Sequence, residues 1–357
     1  MKIIIQIAHL PLLLLYFFSF ICPKNKNLIL VGEWGGKLKK DNAVCLGELL
    51  GSNNQLKVIF INNKENNKKK NILKAHSFKS YWLHLRAGVY IVSSGKRDVL
   101  FPFITSRSLF INLWHGMPIK KIFWLHKRNP KLIELRDFVM PFYDERPDYV
   151  ISTGKFSSII HKAFRPKIGV IEMDQPRWCN LGKKISNENY ILYSPTFRDA
   201  DLEFFPLSHK QLLEIDTYIK AERLPKLIIT LHPACQFRPK YEYSNVFFNG
   251  YGCSLDLYSD LFPNSSCVIS DLSSILVEAR YFGIKDYCYF PDKKNYIANS
   301  RPVIDEICEE YCGQPFDSFM KILYHFNEDK DNVCSSFKYK FNNPANQISK
   351  LINQHWK

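Results

Sequence analysis

The sequence predicts an α/β protein with two doubly wound halves, each built around a parallel sheet. Three observations support this fold class: short apolar runs alternate with helical stretches, the alternation occurs in two series, and 357 residues suffice for two ordinary domains. Strands that alternate with helices form parallel sheets covered on both faces. Ligands gather beyond the carboxyl ends of such strands, so we expect the two domains to face a cleft.

Both series follow from the positions of the apolar runs. The first predicts strands at 28–32, 56–61, 89–92, 109–114 and 149–152, with helices at 42–50, 72–85 and 156–164. The second predicts strands at 190–193, 227–231, 246–248, 267–269 and 287–290, with helices at 207–221, 255–261 and 273–282. Their join near 175–190 predicts an N-terminal domain at 27–180 and a C-terminal domain at 181–357.

Residues 3–22 are strongly apolar and about long enough to cross a bilayer. Gln6, His9 and Pro11 interrupt the first half, and no A-x-A-like cleavage site follows, which disfavours a signal peptide. A single span, a half-buried anchor and a buried core helix remain open. Lysines on both sides favour a segment held at an anionic cytoplasmic surface, so we expect residues 1–26 to be an apolar membrane-associating segment.

The composition is strongly basic. Lys and Arg number 49 against 34 Asp and Glu, a formal net charge of +15. This excess favours a polyanionic partner: a nucleic acid, an anionic membrane face or a phosphate-bearing substrate. Ten cysteines without a C-x-x-C pair favour a reducing cytosol over a disulfide framework or a zinc site. No metal site is predicted, and no RNP-like aromatic set or zinc finger supports nucleic acid.

The most informative stretch ends an apolar strand with Trp114-His115-Gly116 and continues to Lys120 and Lys121. An imidazole at a strand end, beside lysines, suits proton transfer near a phosphorylated substrate. Gly116 lets the backbone turn or be approached closely. A structural histidine and a solvated lysine pair are the alternatives.

The second half also places polar groups at predicted strand ends. Arg198 follows one strand, where its planar fork can bind phosphate, and His232 follows another. Asp271 precedes the helix predicted at 273–282, and Ser273 and Ser274 lie in its first turn. Free backbone N–H groups and the helix dipole make this terminus a candidate anion site, although every helix needs an N-cap.

Four of these runs resemble, in the same order, motifs of the CDP-glycerol glycerophosphotransferase family, whose members build teichoic acids and phosphate-containing capsules. The motifs are W-H-G-x-P-x-K-K at 114–121, Y-S-P-T-F-R-D at 193–199, L-H-P at 231–233 and S-D-L-S-S at 270–274. Weaker similarity at 28–50, 148–152 and 174–181 extends the resemblance over nearly the whole chain.

The resemblance implies a GT-B-like fold in which the first half handles the acceptor and the second binds a CDP-alditol, CDP-glycerol or CDP-ribitol. His115 would correspond to the proposed general base, and His232 would contact the pyrophosphate; these are the expected catalytic residues. The expected substrate-binding residues are Gly116, Lys120, Arg198, Asp271, Ser273, Ser274 and Arg301.

In the implied reaction, an acceptor hydroxyl attacks the β-phosphate of the CDP donor and CMP leaves. Cationic side chains and a helix N-terminus are suited to stabilising that charge, so no cofactor is expected, while a loosely held Mg²⁺ stays open. The implied partners are the CDP-alditol, an anionic polymer or lipid-linked acceptor, and the anionic inner-membrane surface. The expected location is the cytoplasmic face of a bacterial cell membrane.

The sequence departs from the family pattern at three places. Leu272 stands where tyrosine is usual, and Pro302 replaces a glycine after the late arginine. Trp178 and Cys179 replace the usual Asn-Asp. Because donor or acceptor fit is set at such positions, glycerol and ribitol remain alternatives for the transferred alditol.

Two other functions stay open on sequence alone. A capsule glycosyltransferase that uses a CMP-linked sugar, such as CMP-sialic acid, would also use His232-Pro233 and the serine pair, but it leaves the run at 114–121 unexplained. A basic, non-catalytic membrane-bound scaffold would need none of these residues, so histidines at both strand ends argue against it.

Overall fold

The structure is a computed structural model that describes residues 10–52, 55–63, 71–126, 129–181, 189–198, 200–232, 235–251, 255–299, 302–329 and 341–356. The chain divides into two compact units. Unit 1 comprises Met1–Gly116, Ile122–Cys179 and Asn342–Lys357, and unit 2 comprises Met117–Lys121 and Asn180–Phe341.

Unit 1 is built on a parallel sheet. Its strands are β1 (Asn25–Gly32), β2 (Lys57–Asn62), β3 (Ile72–Lys74), β4 (Ala87–Val92), β5 (Leu109–Asn112), β6 (Tyr149–Ser152) and β7 (Gly169–Glu172). Among the described residues the strand order is β3-β2-β1-β4-β5-β6-β7, with every pair parallel. Successive residues of β1 enter different cores, Ile29 and Val31 on one face and Leu28 and Leu30 on the other. Burial on both faces explains the continuous apolar runs.

Unit 2 repeats the arrangement with a smaller sheet. Its strands are β8 (Tyr190–Ser194), β9 (Lys226–Ile229), β10 (Val246–Phe248), β11 (Ser265–Ser270) and β12 (Lys285–Cys288). The described strands pair in the order β10-β9-β8-β11-β12, again all parallel. The prediction of two parallel-sheet α/β domains is therefore confirmed.

Helices flank both sheets. In chain order they are α1 (Leu10–Ile21), α2 (Asn42–Gly51), α3 (Phe78–Arg86), α4 (Pro130–Val139), α5 (Ser157–Phe164), α6 (His209–Ala221), α7 (Ser274–Tyr281), α8 (Lys293–Asn299), α9 (Asp305–Cys312), α10 (Phe319–Glu328) and α11 (Ala345–His355). The predicted C-terminal domain extended to residue 357, but α11 packs on the unit 1 core through Ile348 and Ile352.

Two local predictions were wrong. Residues 72–85 do not form one helix: Ile72–Lys74 is the edge strand β3, and α3 starts only after Ser77, whose side chain accepts the Ser80 N–H. Residues 255–261 form a π-helical turn, Leu257–Leu261, in place of a longer helix, with Asp256 accepting the first N–H groups. In both cases a short apolar run fitted a helical stripe but served another element.

The apolar N-terminal stretch contributes α1, a helix of 12 residues that packs against α3 and the turn Phe101–Phe103. Within the described ranges, no helix is both long and apolar enough to cross a bilayer. The described part of residues 3–22, which begins at residue 10, therefore shows no membrane-spanning helix.

Candidate active site

His115 lies three residues beyond the end of β5, at the carboxyl edge of the unit 1 sheet. Its half-buried imidazole packs against two indoles, with ring centroids 3.8 Å from Trp114 and 4.9 Å from Trp34. Both tryptophans have left-handed backbone angles, φ 52° and 50°, which bulky residues rarely adopt. Strained backbone at two residues that contact the same polar side chain is typical of a functional site.

Side chains from other elements bind the backbone of this loop. The Asn42 amide donates to the Trp114 carbonyl at 2.8 Å, and Arg177 Nη1 donates to the His115 carbonyl at 2.9 Å. Asn42 is the first residue of α2, and Arg177 lies in the turn Pro176–Asn180. Two adjacent carbonyls that leave the sheet ladder are thus satisfied by buried side chains.

The motif that begins at Trp114 is divided between the units. Gly116 is buried and is the last residue of its segment in unit 1, whereas Lys120 belongs to unit 2, where it forms an antiparallel bridge with Val303. The Lys120 ammonium donates to the Tyr296 hydroxyl. Lys120 therefore makes an anchoring contact within unit 2, and its expected role in substrate binding stays a prediction.

In unit 2, the loops after β9, β8 and β11 carry the remaining motif residues, and these three strands are neighbours in the sheet. Arg198, after β8, is buried and donates to both oxygens of Asp292, at 2.8 and 2.7 Å. A second ion pair joins it to Asp271 at 3.0 Å. Burial alone would lower the pKa of Arg198, but these two carboxylates raise it above its usual range.

These contacts give Arg198 a structural role, and its expected role in phosphate binding stays a prediction. Its guanidinium is committed to Asp271, Asp292 and the Thr196 carbonyl, so it does not present an open fork to a phosphate in this structure. Asp271 also accepts the Thr196 N–H at 2.9 Å. Asp271 and Arg198 therefore fasten the turn after β11 to the turn after β8.

Ser273 is the N-cap of α7, and Ser274 is its first helical residue. Both are half-buried, and the Ser273 hydroxyl accepts the Ile275 N–H at a long 3.4 Å. A weakly bonded hydroxyl at the positive end of a helix is suited to an anion.

His232 lies three residues beyond β9 and stacks on Phe197, with ring centroids 4.2 Å apart and an interplanar angle of 20°. Phe197 precedes Arg198, so the L-H-P and Y-S-P-T-F-R-D motifs meet at this stack. The structure thus brings His232, Arg198, Asp271 and the start of α7 to one edge of the unit 2 sheet.

Three residues of the predicted site and its motifs are not among those that the structure describes. Arg301, with Asp199 and Pro233 of the motifs, lies outside the described residues. No group of three or more His, Cys, Asp or Glu that could hold a metal ion occurs in the described ranges.

Sequence reasoning gave no role to several residues that build the site. Asp292 binds Arg198, Tyr296 binds Lys120, and the Trp34 ring packs against His115. The run Asp41-Asn42 before an apolar helix was a usable signal, because polar N-cap residues next to a buried strand end can reach a neighbouring loop.

Residues 14–346 match the family described as CDP-glycerol:poly(glycerophosphate) glycerophosphotransferase. The chain belongs to this family. It is therefore a glycerophosphotransferase, as the four motifs predicted. CDP-glycerol is the donor that fits this family. The match is to a phosphotransferase family, which favours this function over transfer of a CMP-linked sugar.

Two curated relatives support the assignment. The glycerophosphotransferase is 25% identical over 297 residues to the teichoic acid glycerol-phosphate transferase of Staphylococcus aureus, covering 73% of this chain and 72% of that protein. It is 26% identical over 302 residues to the teichoic acid glycerol-phosphate primase of Bacillus subtilis, covering 76% of each. Among solved structures, the wall teichoic acid polymerase TagF gives a TM-score of 0.67 at 19% identity, over 93% of this chain and 90% of that chain. This last similarity establishes the GT-B-like fold.

Proposed function

We propose that this glycerophosphotransferase moves glycerol phosphate from CDP-glycerol to a hydroxyl of a teichoic-acid-type polymer or its lipid-linked precursor. The observation that carries the proposal is the set of loops after β9, β8 and β11, which hold His232, Arg198 and the α7 N-terminus at one edge of the unit 2 sheet. Such an edge is where a parallel sheet binds a nucleotide diphosphate.

His115 of unit 1 is the general base in this proposal. Its imidazole takes the proton of the acceptor hydroxyl, the acceptor oxygen bonds to the β-phosphorus of the donor, and the bond from that phosphorus to the bridging oxygen breaks. The electron pair leaves with CMP. Negative charge on the transferred phosphate and on CMP is stabilised by His232, by Ser273 and by the N–H groups at the start of α7.

Arg198 supports the donor site indirectly, by holding the loops that carry its residues. Its ion pairs with Asp271 and Asp292 fix the turns that carry Phe197 and Ser273, and Phe197 in turn supports the His232 ring. The role implied for Arg198 by family resemblance, neutralising the pyrophosphate, is thus proposed to be indirect.

The test uses purified full chain with CDP-glycerol and a glycerol-phosphate-primed acceptor, and measures CMP release. We expect His115→Ala to reduce turnover by roughly 10²–10⁴-fold, the usual worth of a general base, and His232→Ala to lower it as well. His161→Ala, which changes an exposed histidine of α5, is the matched control. Normal turnover in both active-site variants, or response to CDP-ribitol or CMP-sialic acid alone, contradicts the proposal.

We also propose that unit 1 binds the cytoplasmic face of the cell membrane through α1, α3 and α4, called here the apolar helices. α1 packs against α3 and against the turn Pro141–Tyr143 that follows α4. The three helices expose large hydrophobic side chains: Leu14, Phe17, Phe18, Phe20, Ile21, Phe78, Tyr81, Trp82, Leu132, Leu135, Phe138 and Val139. Phe78 and Phe138 are 90% and 85% exposed. Exposed lysines on the same helices, Lys79 and Lys131, favour an anionic lipid surface.

A further inference from the structure

Asp41 is a buried carboxylate at the N-cap of α2. One of its oxygens, Oδ2, accepts the indole N–H of Trp34 at 2.8 Å. The other, Oδ1, forms an ion pair with Arg177 Nη1 at 3.1 Å, and both side chains are less than a tenth exposed. The two oxygens of one carboxylate therefore hold two different partners.

Both partners act on His115. The Trp34 indole packs on the imidazole, and Arg177 binds the His115 carbonyl through the same Nη1 that reaches Asp41. Asp41 is thus linked to His115 by two routes, which together are called here the Asp41 circuit. One runs through the Trp34 indole to the imidazole ring, and the other runs through the Arg177 guanidinium to the backbone carbonyl. One carboxylate thus fixes the side chain and the main chain of the same residue.

The loop needs this support because it has left the sheet. β5 ends at Asn112, and Trp34 and Trp114 both hold left-handed backbone angles that are unfavourable for large side chains. Without the carboxylate, the Trp34 indole loses its hydrogen bond and the buried Arg177 loses its counter-charge. The imidazole is then free to leave the position from which it accepts a proton.

We propose that Asp41 is the positioning residue for His115, which rests on the proposed role of His115 as the general base. Asp41 does not touch the substrate in this account. It acts by holding Trp34 and Arg177, so its loss lowers the rate of the chemical step and leaves donor binding in unit 2 unaffected. Misplacement of a reacting group by about 1 Å costs on the order of 10²-fold in rate.

The first test compares kcat and KM for CDP-glycerol in Asp41→Asn, Trp34→Phe and Trp34→Leu. We expect Asp41→Asn to lower kcat by roughly 10- to 100-fold with less than a twofold change in KM. Trp34→Phe keeps a ring against His115 and is expected to retain more activity than Trp34→Leu. If Asp41→Asn fails to fold, the two variants at half-buried Trp34 still decide the question. Equal activity in Trp34→Phe, Trp34→Leu and the wild type overturns the proposal.

The control is Asp148→Asn, which removes a carboxylate that accepts the Phe110 N–H at 2.7 Å near the opposite end of β5. It loosens the same strand without touching the Asp41 circuit, so kcat is expected to stay near the wild-type value. An equal loss of kcat in Asp148→Asn and Asp41→Asn assigns Asp41 a general structural role and refutes the inference.

The second test is a double-mutant cycle with His115→Ala. Since Asp41 acts only through the imidazole, adding Asp41→Asn to His115→Ala is expected to give no further fall in the residual turnover. A multiplicative fall overturns the inference while leaving His115 as the base. Normal turnover in His115→Ala instead refutes the proposed role of His115 as the general base, so the two failures are distinguishable.

Discussion

Arg198 of unit 2 forms ion pairs with two carboxylates. It joins Asp271, next to the start of α7, to Asp292, which precedes α8, and its guanidinium lies 4.3 Å from the centroid of the Tyr296 ring. Lys120 donates to the same tyrosine. The arginine therefore organises several loops that are far apart in sequence.

Removing Arg198 leaves two carboxylates without their cation in a buried site. We expect Arg198→Ala to lower the free energy of unfolding of unit 2 by about 3–5 kcal/mol, and Arg198→Lys to lower it less, because lysine keeps the charge but loses the fork. Urea denaturation measures both. The matched control is Lys321→Ala, which breaks an exposed pair with Asp317 and is expected to change the midpoint little. Similar midpoints for Arg198→Ala and Lys321→Ala contradict this account.

Some residues of the site are marked by the sequence immediately around them, and others are not. His115, His232 and Ser273 were predictable, because each follows an apolar run that must be a buried strand, and strand ends in parallel sheets converge. Asp292 was not predictable: it stands 94 residues from Arg198, and nothing near it marks a partner. The commitment of Arg198 to carboxylates was missed for the same reason.

At the level of elements, two helices of unit 2 differ in how they begin. α6 has a complete capping box, in which Ser208 accepts the Gln211 N–H and the Gln211 side chain accepts the Ser208 N–H. α7 begins with Ser273, whose capping bond is long. The first serine is suited to stabilising its helix, and the second retains capacity for a ligand.

Substituting the two serines separates these roles. Ser208→Ala is expected to cost about 1 kcal/mol of stability and to leave turnover unchanged. Ser273→Ala is expected to cost less stability but to raise KM for CDP-glycerol about tenfold, since a hydrogen bond to a charged phosphate is worth roughly 1.5–3 kcal/mol. Denaturation and steady-state kinetics on both variants provide the measurement. Unchanged KM in Ser273→Ala excludes this serine from the donor site.

The central strands of both sheets were predictable, whereas the two edge strands of unit 1, β3 and β7, were not. β1, β4, β8 and β11 each contain a short apolar run that is buried on both faces, a pattern typical of a central parallel strand. β3 is short, partly exposed and paired on one side only, so its residues carry no pattern that distinguishes a strand from a helix start.

At the scale of the whole molecule, the exposed hydrophobic side chains are unevenly distributed. The apolar helices of unit 1 carry Phe78 and Phe138 almost fully exposed, whereas unit 2 exposes single residues such as Leu213. Burying one such side chain in the lipid interface is worth roughly 1.5–3 kcal/mol at most.

We therefore expect the double variant Phe78→Ser/Phe138→Ser to bind phosphatidylglycerol vesicles at least tenfold more weakly than the wild type. Leu213→Ser, on α6 of unit 2, is expected to bind normally. Vesicle co-sedimentation at low and high salt measures the apolar and electrostatic contributions. Equal binding by the wild type and the double variant refutes attachment through the apolar helices. CMP release by the double variant in detergent is the control that shows its fold is intact.

The return of α11 to unit 1 affects the order in which the chain can fold during synthesis. Ile348 and Ile352 fill the same core as Ile29 and Val31 of β1, yet they emerge from the ribosome after all of unit 2. Nascent unit 1 therefore lacks α11, and one flank of its sheet stays uncovered, while unit 2 is translated. Unit 2 can fold during this time. A chaperone that binds exposed apolar surface has its clearest opportunity in that interval.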